Sequence, residues 1–436
     1  MSGANGERPA RFLWLLPVMR PPIALPRRQE LIFLLVGTTY LFSGYDLNIF
    51  GLALPQIQHE LHIPENAATI TVSYFRLAAF AALFIAPLAD VFGRRRLLLF
   101  TVLGEAVFTV ASGFTHTYLQ FVLCQVAARV FGYCEEMLCF VVVAEEIDAR
   151  VRGWSSGTLG TMNATGAGLS ALVFALVNFL PFGWRALYVI GGGALMILAY
   201  YRRWLPETAR FELRRAEIAA LGSKTAAAFD MLKRLTREYP GRLAALMLAV
   251  AATGFAFAPA VILMSKYLQQ THHFKPFQIT VLYVGGGLLS VMGNVLAGRL
   301  SDWLGRRVMI TVAIVVCGAS FAVLYSGMDG WIVPVSWILA IFGYLASDAL
   351  FGGLPAEIFP TAYRATTSTL RYVFSTLGGA SSLALEGVFY DWFGAHGPAV
   401  TLALAAAPVA VLAVFFLPEP ARRTLEDIAG KPTSGA

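Results

Sequence analysis

Charge is what this sequence is short of. Asp, Glu, Lys and Arg make up 14% of its 436 residues, where a soluble domain carries about 25%. That deficit excludes a large water-facing surface. Cysteine is scarce as well. Cys124, Cys134, Cys139 and Cys317 have no CxxC spacing and no nearby histidine pair. They read as small apolar residues, and neither a metal centre nor a disulfide framework is expected. Nucleophile elbows, phosphate-binding loops and paired-histidine spacings are missing, which argues against an enzyme and against a bound cofactor. A small-residue cleavage site is missing too. The apolar segment from Arg11 to Arg20, followed by Pro21 and Pro22, is too short to span a bilayer. It reads as a stretch lying flat at the interface with Trp14 at headgroup level, or as a tail.

What the chain has instead is apolar residues, 57% of the total. They come in runs of about 20, the length a helix needs to cross hydrocarbon. Twelve runs are read, at about 31–54, 68–88, 97–114, 118–144, 155–180 and 183–204, then 242–268, 276–298, 308–327, 331–356, 365–390 and 396–417. The expected fold is an all-α integral membrane protein of twelve helices in two six-helix bundles, 31–204 and 242–417. A basic linker, 205–241, joins them, with tails at 1–30 and 418–436.

The net charge of +7 would raise nucleic acid as a partner for a soluble protein. Here it reports topology. With the termini and every even-to-odd loop on one side, that side holds all but six of the 33 basic residues. The exceptions are Arg76, Arg129, Arg185, Lys266, Lys275 and Arg371. The termini are therefore expected in the cytoplasm, in a multi-pass protein of the cell (inner or plasma) membrane. Membrane lipid surrounds it, and nucleic acid is not a partner.

An internal repeat runs through the chain. The segment Ala86-Pro-Leu-Ala-Asp-Val-Phe-Gly-Arg-Arg95 returns as Gly298-Arg-Leu-Ser-Asp-Trp-Leu-Gly-Arg-Arg307, an offset of 212. Glu145 and Arg152 match Glu357 and Arg364, and Leu205-Pro-Glu207 matches Leu417-Pro-Glu419, at the same offset of 212. The chain reads as a duplicated six-helix unit with both copies in one orientation. Parallel repeats of this kind are a transporter architecture.

The repeated loop resembles the signature of the major facilitator superfamily, found between helices two and three and again between eight and nine. The first copy departs from it at Ala86 and Val91. Within the superfamily the chain resembles the sugar porters and the aromatic-acid proton symporters. The matching pieces are Gly44-Tyr45-Asp46, Arg129, Glu145 with Arg152-Gly153, Pro206-Glu207-Thr208, Pro355-Ala-Glu357-Ile-Phe-Pro360 with Arg364, and Pro418-Glu419 with Leu425-Glu426. The resemblance implies a secondary active transporter that moves a small-molecule substrate by alternating access, acting as a monomer. In the proton-driven branches the aspartate and arginine at the positions of Asp46 and Arg129 couple transport to the proton.

The repeat sorts the charges. Those that recur are expected to form a cytoplasmic gate: Asp90, Gly93, Arg94, Glu145 and Arg152, with Asp302, Gly305, Arg306, Glu357 and Arg364. A carboxylate at a helix N-terminus can accept bonds from the helix and from an arginine, and so latch neighbouring helices. The plainer alternative is basic residues that set topology, plus capping. Charges that break the repeat are more telling. Asp46 stands opposite Ala258 and Arg129 opposite Ile341. Both lie inside apolar runs, at matched depths of about 12 and 16 Å from the outer helix ends. Intramembrane ionisable residues default to function, here proton coupling, against a static ion pair that fixes packing.

A second group, Glu135, Glu136, Asp348 and Arg371, sits towards the cytoplasm. Arg371 reads either as a partner of Asp348 or as the residue that meets a substrate carboxylate. With Tyr45 these are the candidate substrate residues. Helix seven, Ala251-Ala-Thr-Gly-Phe-Ala-Phe-Ala-Pro-Ala260, lacks the amides that bind hydroxyls in sugar porters, and a polyol site needs many polar groups. Proton symport of an organic acid, aromatic acids included, is the leading expectation. Efflux of drug-like or cationic compounds through Glu135, Glu136 and Asp348 is the alternative, with sugar transport behind it. A receptor or channel that does not cycle fits the duplicated gate loops less well.

Overall fold

A computed structural model of the chain describes residues 23–85, 93–147, 151–203, 232–289, 303–360 and 363–420, with a few single positions besides. Among the described residues there are helices and no strand. In the first half they are α1 (Arg27–Leu61), α2 (Ala68–Ile85), α3 (Arg94–Ser112), α4 (Tyr118–Glu146), α5 (Arg152–Phe174) and α6 (Trp184–Arg202). In the second half they are α7 (Pro240–Gln270), α8 (Pro276–Leu289), α9 (Arg306–Leu324), α10 (Ile332–Ile358), α11 (Arg364–Phe393) and α12 (His396–Phe415). One helix falls on each of the twelve expected runs. By length and composition α7, α9, Ile332–Pro355 of α10 and α12 are apolar enough to cross a membrane.

Local chemistry sets the ends. Pro240 and Pro276 open α7 and α8 at positions where a missing N–H costs nothing. Thr117 caps α4 by accepting the Gln120 N–H at 3.3 Å. Gly93 and Gly305 precede α3 and α9 with φ of 96° and 104°, a backbone that a side chain would oppose. These are the glycines of the duplicated loop, and their turns repeat with the sequence.

Several bounds differ from the expected ones. α1 starts at Arg27 and runs through Pro55 to Leu61. α5 stops at Phe174, and the chain turns until Gly183. α8 carries one π-helical turn at Leu282–Gly286. α12 is interrupted by a turn at Ala405 and Ala406, because Pro408 cannot donate to residue 404 and its ring crowds that carbonyl. The segment after Arg11 is not an interfacial strip where it is described. Phe12 and Leu15 are buried, Phe12 edge-on to Trp154 at 5.7 Å with its N–H donated to Glu30. Trp14 lies outside the described residues. The four cysteines are free thiols, three of them buried.

By contact the chain divides into two units, Met1–Ala53 with Ala78–Leu221, and Leu54–Leu77 with Gly222–Ala436. The end of α1 and the start of α2 thus belong to the second unit. Within each unit one helix crossing is held at backbone distance by glycine. In the first, a Cβ on Gly166 of α5 would land on the Leu41 carbonyl oxygen of α1, and one on Gly44 would meet the Asn163 carbonyl. In the second, a Cβ on Gly378 of α11 would land on the Ala251 carbonyl oxygen of α7, and one on Gly254 would meet Ser375. Gly166 and Gly378 are 212 apart, as are Asn163 and Ser375. Small residues let backbones approach where lipid gives no hydrophobic drive between helices, and the duplication has kept that device twice.

Candidate solute and proton sites

In the first unit α1 carries Asp46 and α4 carries Arg129, 1% and 5% exposed at their side chains. The Arg129 Nη1 lies 3.0 Å from Asp46 Oδ2, off the direction of a hydrogen bond. Its Nη2 donates to the Asp46 main-chain carbonyl at 2.9 Å. Thr109 of α3 donates to Asp46 Oδ1 at 3.3 Å. Gln125, one turn before Arg129, accepts from Nη2 at 3.4 Å. The two residues that break the repeat therefore meet, and a small polar shell holds them. An ion pair out of water survives only if each partner stays compensated.

The shell leads on to residues that reading the sequence left unpaired. Glu105 of α3 accepts from Ser43 at 3.2 Å. Glu135 of α4 lies 3.1 Å from Arg202 Nη1, and neither side chain has any exposed surface. Arg202 reads in the sequence as one more basic residue at a helix end. Its opposite number across the repeat, Val414, is the signal that marks it. Glu136 accepts from the Tyr40 hydroxyl at 2.7 Å. Tyr45 is fully buried and donates to the Leu187 carbonyl at 3.1 Å.

In the second unit Arg371 of α11 lies 3.3 Å from Asp348 of α10. Both line a cavity of about 40 Å³ with Arg76 of α2, Tyr344 and Ser375. The group expected from sequence is thus split: Glu135 and Glu136 have partners in the first unit, and Asp348 and Arg371 have each other in the second. Further along, Glu65 pairs with Lys266, and His396 bridges Glu65 Oε2 at 3.1 Å and Glu386 at 2.8 Å. Thr69 donates to the other Glu386 oxygen at 2.8 Å. Glu65 lies between α1 and α2, outside the membrane helices. The bond from His396, then the Lys266 ammonium, hold its carboxyl down at about 2 against the opposing effect of burial.

Of the gate residues, Asp90 and Asp302 and the side chains of Arg94, Glu145 and Arg152 lie outside the described residues. Arg306 makes a bidentate pair with Glu357, Nε to Oε2 and Nη2 to Oε1 both at 2.9 Å. Arg364, the partner in sequence, instead reaches the Phe359 carbonyl at 3.5 Å. The N-terminus of α9 is met by Glu419, which accepts from the Arg306 and Arg307 N–H groups at 2.8 and 3.0 Å. A carboxylate there offsets the positive end of the helix.

Twelve helices duplicated at one offset, with paired charges buried among them, define a multi-pass membrane transport protein. The Major Facilitator Superfamily model matches residues 36–380 and again 246–434, and the chain belongs to that superfamily, whose members are transporters and not enzymes. A probable 4-methylmuconolactone transporter of Cupriavidus pinatubonensis is 25% identical over 92% of this chain and 93% of its own. A cis,cis-muconate transport protein of Acinetobacter baylyi is 25% identical over 82% and 87%. Among solved structures, the inward-open xylose transporter of E. coli superposes with a TM-score of 0.72 at 16% identity, over 92% of this chain and 99% of that one.

Proposed function

We propose that this transporter carries an organic acid, aromatic acids included, in the same direction as a proton. The observation that carries the reading is the buried Asp46–Arg129 pair, 3.0 Å apart. An aspartate held against an arginine stays ionised. Drawn away from it in the same apolar surroundings, it takes up a proton. Alternating access supplies such a movement, and the net charge of the site then differs between the loaded and empty carrier. The termini and basic loops face the cytoplasm in this reading, and the gate pairs around Glu357 and Arg306 close that side.

Support for an acid comes from two directions. The muconate transport protein and the probable methylmuconolactone transporter carry, by name, an unsaturated acid and a lactone of one. The chain itself places arginines rather than amides around the cavity of the second unit. The test is Asp46→Asn in proteoliposomes. Accumulation of acid against its gradient, driven by an inward proton gradient, should be lost at least tenfold, while exchange of labelled for unlabelled acid continues. Undiminished accumulation would overturn the coupling role.

A further inference from the structure

Among the described residues, four of the cations inside the helices have a carboxylate partner. Arg129 has Asp46, Arg202 has Glu135, Lys266 has Glu65 and Arg371 has Asp348. Arg76 differs. It is the ninth residue of α2, about 13 Å along the helix, and among the described residues it makes no ion pair. Its guanidinium shares a cavity lining with Tyr344. It lies over Gly379 of α11, where a Cβ would sit 2.6 Å from Nη1. Glycine leaves the room that the guanidinium occupies. From there Arg76 faces the same cavity as Arg371 and Asp348.

An unpaired guanidinium inside a membrane helix is costly, and such residues mark substrate paths. Arg76 presents the donor fork that matches a carboxylate in two parallel bonds, seated over Gly379. The second cation is only lightly held. Asp348 keeps 67% of its side chain exposed while Arg371 keeps 19%, so water can receive the Asp348 carboxylate if an incoming anion takes Arg371. The cavity is therefore built for two anionic ends: one finds Arg76 open, the other displaces Asp348.

We propose that Arg76 is the primary substrate anchor and that Arg371 is the second, so that the transported acid is a small dicarboxylate in preference to a monocarboxylate. This rests on the organic-acid reading above and names the substrate class of that carrier. Neither Arg76 nor its opposite number, Leu288, carries a motif. The assignment comes from the helix positions that bring α2, α10 and α11 around one cavity.

The test uses a matched pair, hexa-2,4-dienedioate and hexa-2,4-dienoate, which differ only in the second carboxylate. Counterflow into proteoliposomes reads binding without a proton gradient. The wild type should half-saturate with the dicarboxylate at a concentration at least tenfold lower than with the monocarboxylate. Arg76→Gln should raise the dicarboxylate value roughly 10–100-fold, and Arg76→Lys should recover part of that loss. Arg371→Gln should narrow the ratio between the two acids. Equal half-saturation by the two acids in the wild type would overturn the proposal without recourse to any variant. So would an Arg76→Gln protein, folded by its melting midpoint, that handles the dicarboxylate like the wild type. If neither acid exchanges, the organic-acid reading itself falls, and this one with it.

Discussion

Glu135 and Arg202 have no exposed side-chain surface, and their oxygen and nitrogen lie 3.1 Å apart. Removing one partner leaves the other a lone buried charge, a loss of about 3–5 kcal/mol. Glu135→Leu should therefore lower the melting midpoint of the purified protein sharply, and the Glu135→Leu, Arg202→Met pair should regain most of it. A double variant no better than the single would show that the pair also does something packing cannot replace. Glu65 gives a prediction in pH. Its carboxyl is held near 2, below the ordinary 4.5, so the ionised form is the one the fold favours. That contribution is full above the ordinary carboxylate range and disappears as the pH falls through it. The gap in melting midpoint between wild type and Glu65→Gln should thus persist from neutrality to about pH 5 and close on the way to 2. The side chain is 40% exposed, so the gap is modest. A gap that instead narrows as the pH rises through neutrality would point to His396.

At the scale of helices, the crossings of α1 with α5 and of α7 with α11 depend on glycines that admit a backbone. Gly166→Ala or Gly378→Ala forces a methyl onto a carbonyl oxygen and should cost about 1–3 kcal/mol, as overpacking does. Gly168 on the same helix has nothing within 4 Å of a built Cβ, so Gly168→Ala should be neutral or slightly stabilising. Equal melting midpoints for the Gly166 and Gly168 variants would remove close approach as the reason for the stripe. These crossings also mark where sequence reading stops. Twelve helices, their order and the repeat were legible, because run length and offset are properties of one strand of text. Asp46 and Arg129 were legible as a pair because a charge in an apolar run is conspicuous and their depths agree. Partnerships such as Glu65 with His396, or Glu135 with Arg202, require knowing which helix faces touch. Arg202 was hidden further by its place at a helix end, where a basic residue reads as topology. Asking which charges lack a counterpart 212 residues away would have raised Arg76, Glu105 and Arg202 beside Asp46 and Arg129.

For the whole molecule, the proposed mechanism has the duplication separate two jobs. Among the charges kept in both copies, Glu357, Arg306 and Glu419 tie helix ends together. Asp46 with Arg129 and Glu135 with Arg202, charges found in one copy only, are buried between helices. A carrier needs both: loops that close identically in each half, and one asymmetric site that senses the proton. The proton symport proposed above is measured most directly as proton entry. Proteoliposomes carrying a pH-sensitive dye and no imposed gradient would be given labelled acid from outside. With the wild type, the lumen should acidify as the label enters, and faster than in Asp46→Asn vesicles, which correct for acid crossing the lipid unaided. Label entering through the wild type with no more lumenal acidification than in the Asp46→Asn vesicles would contradict proton symport.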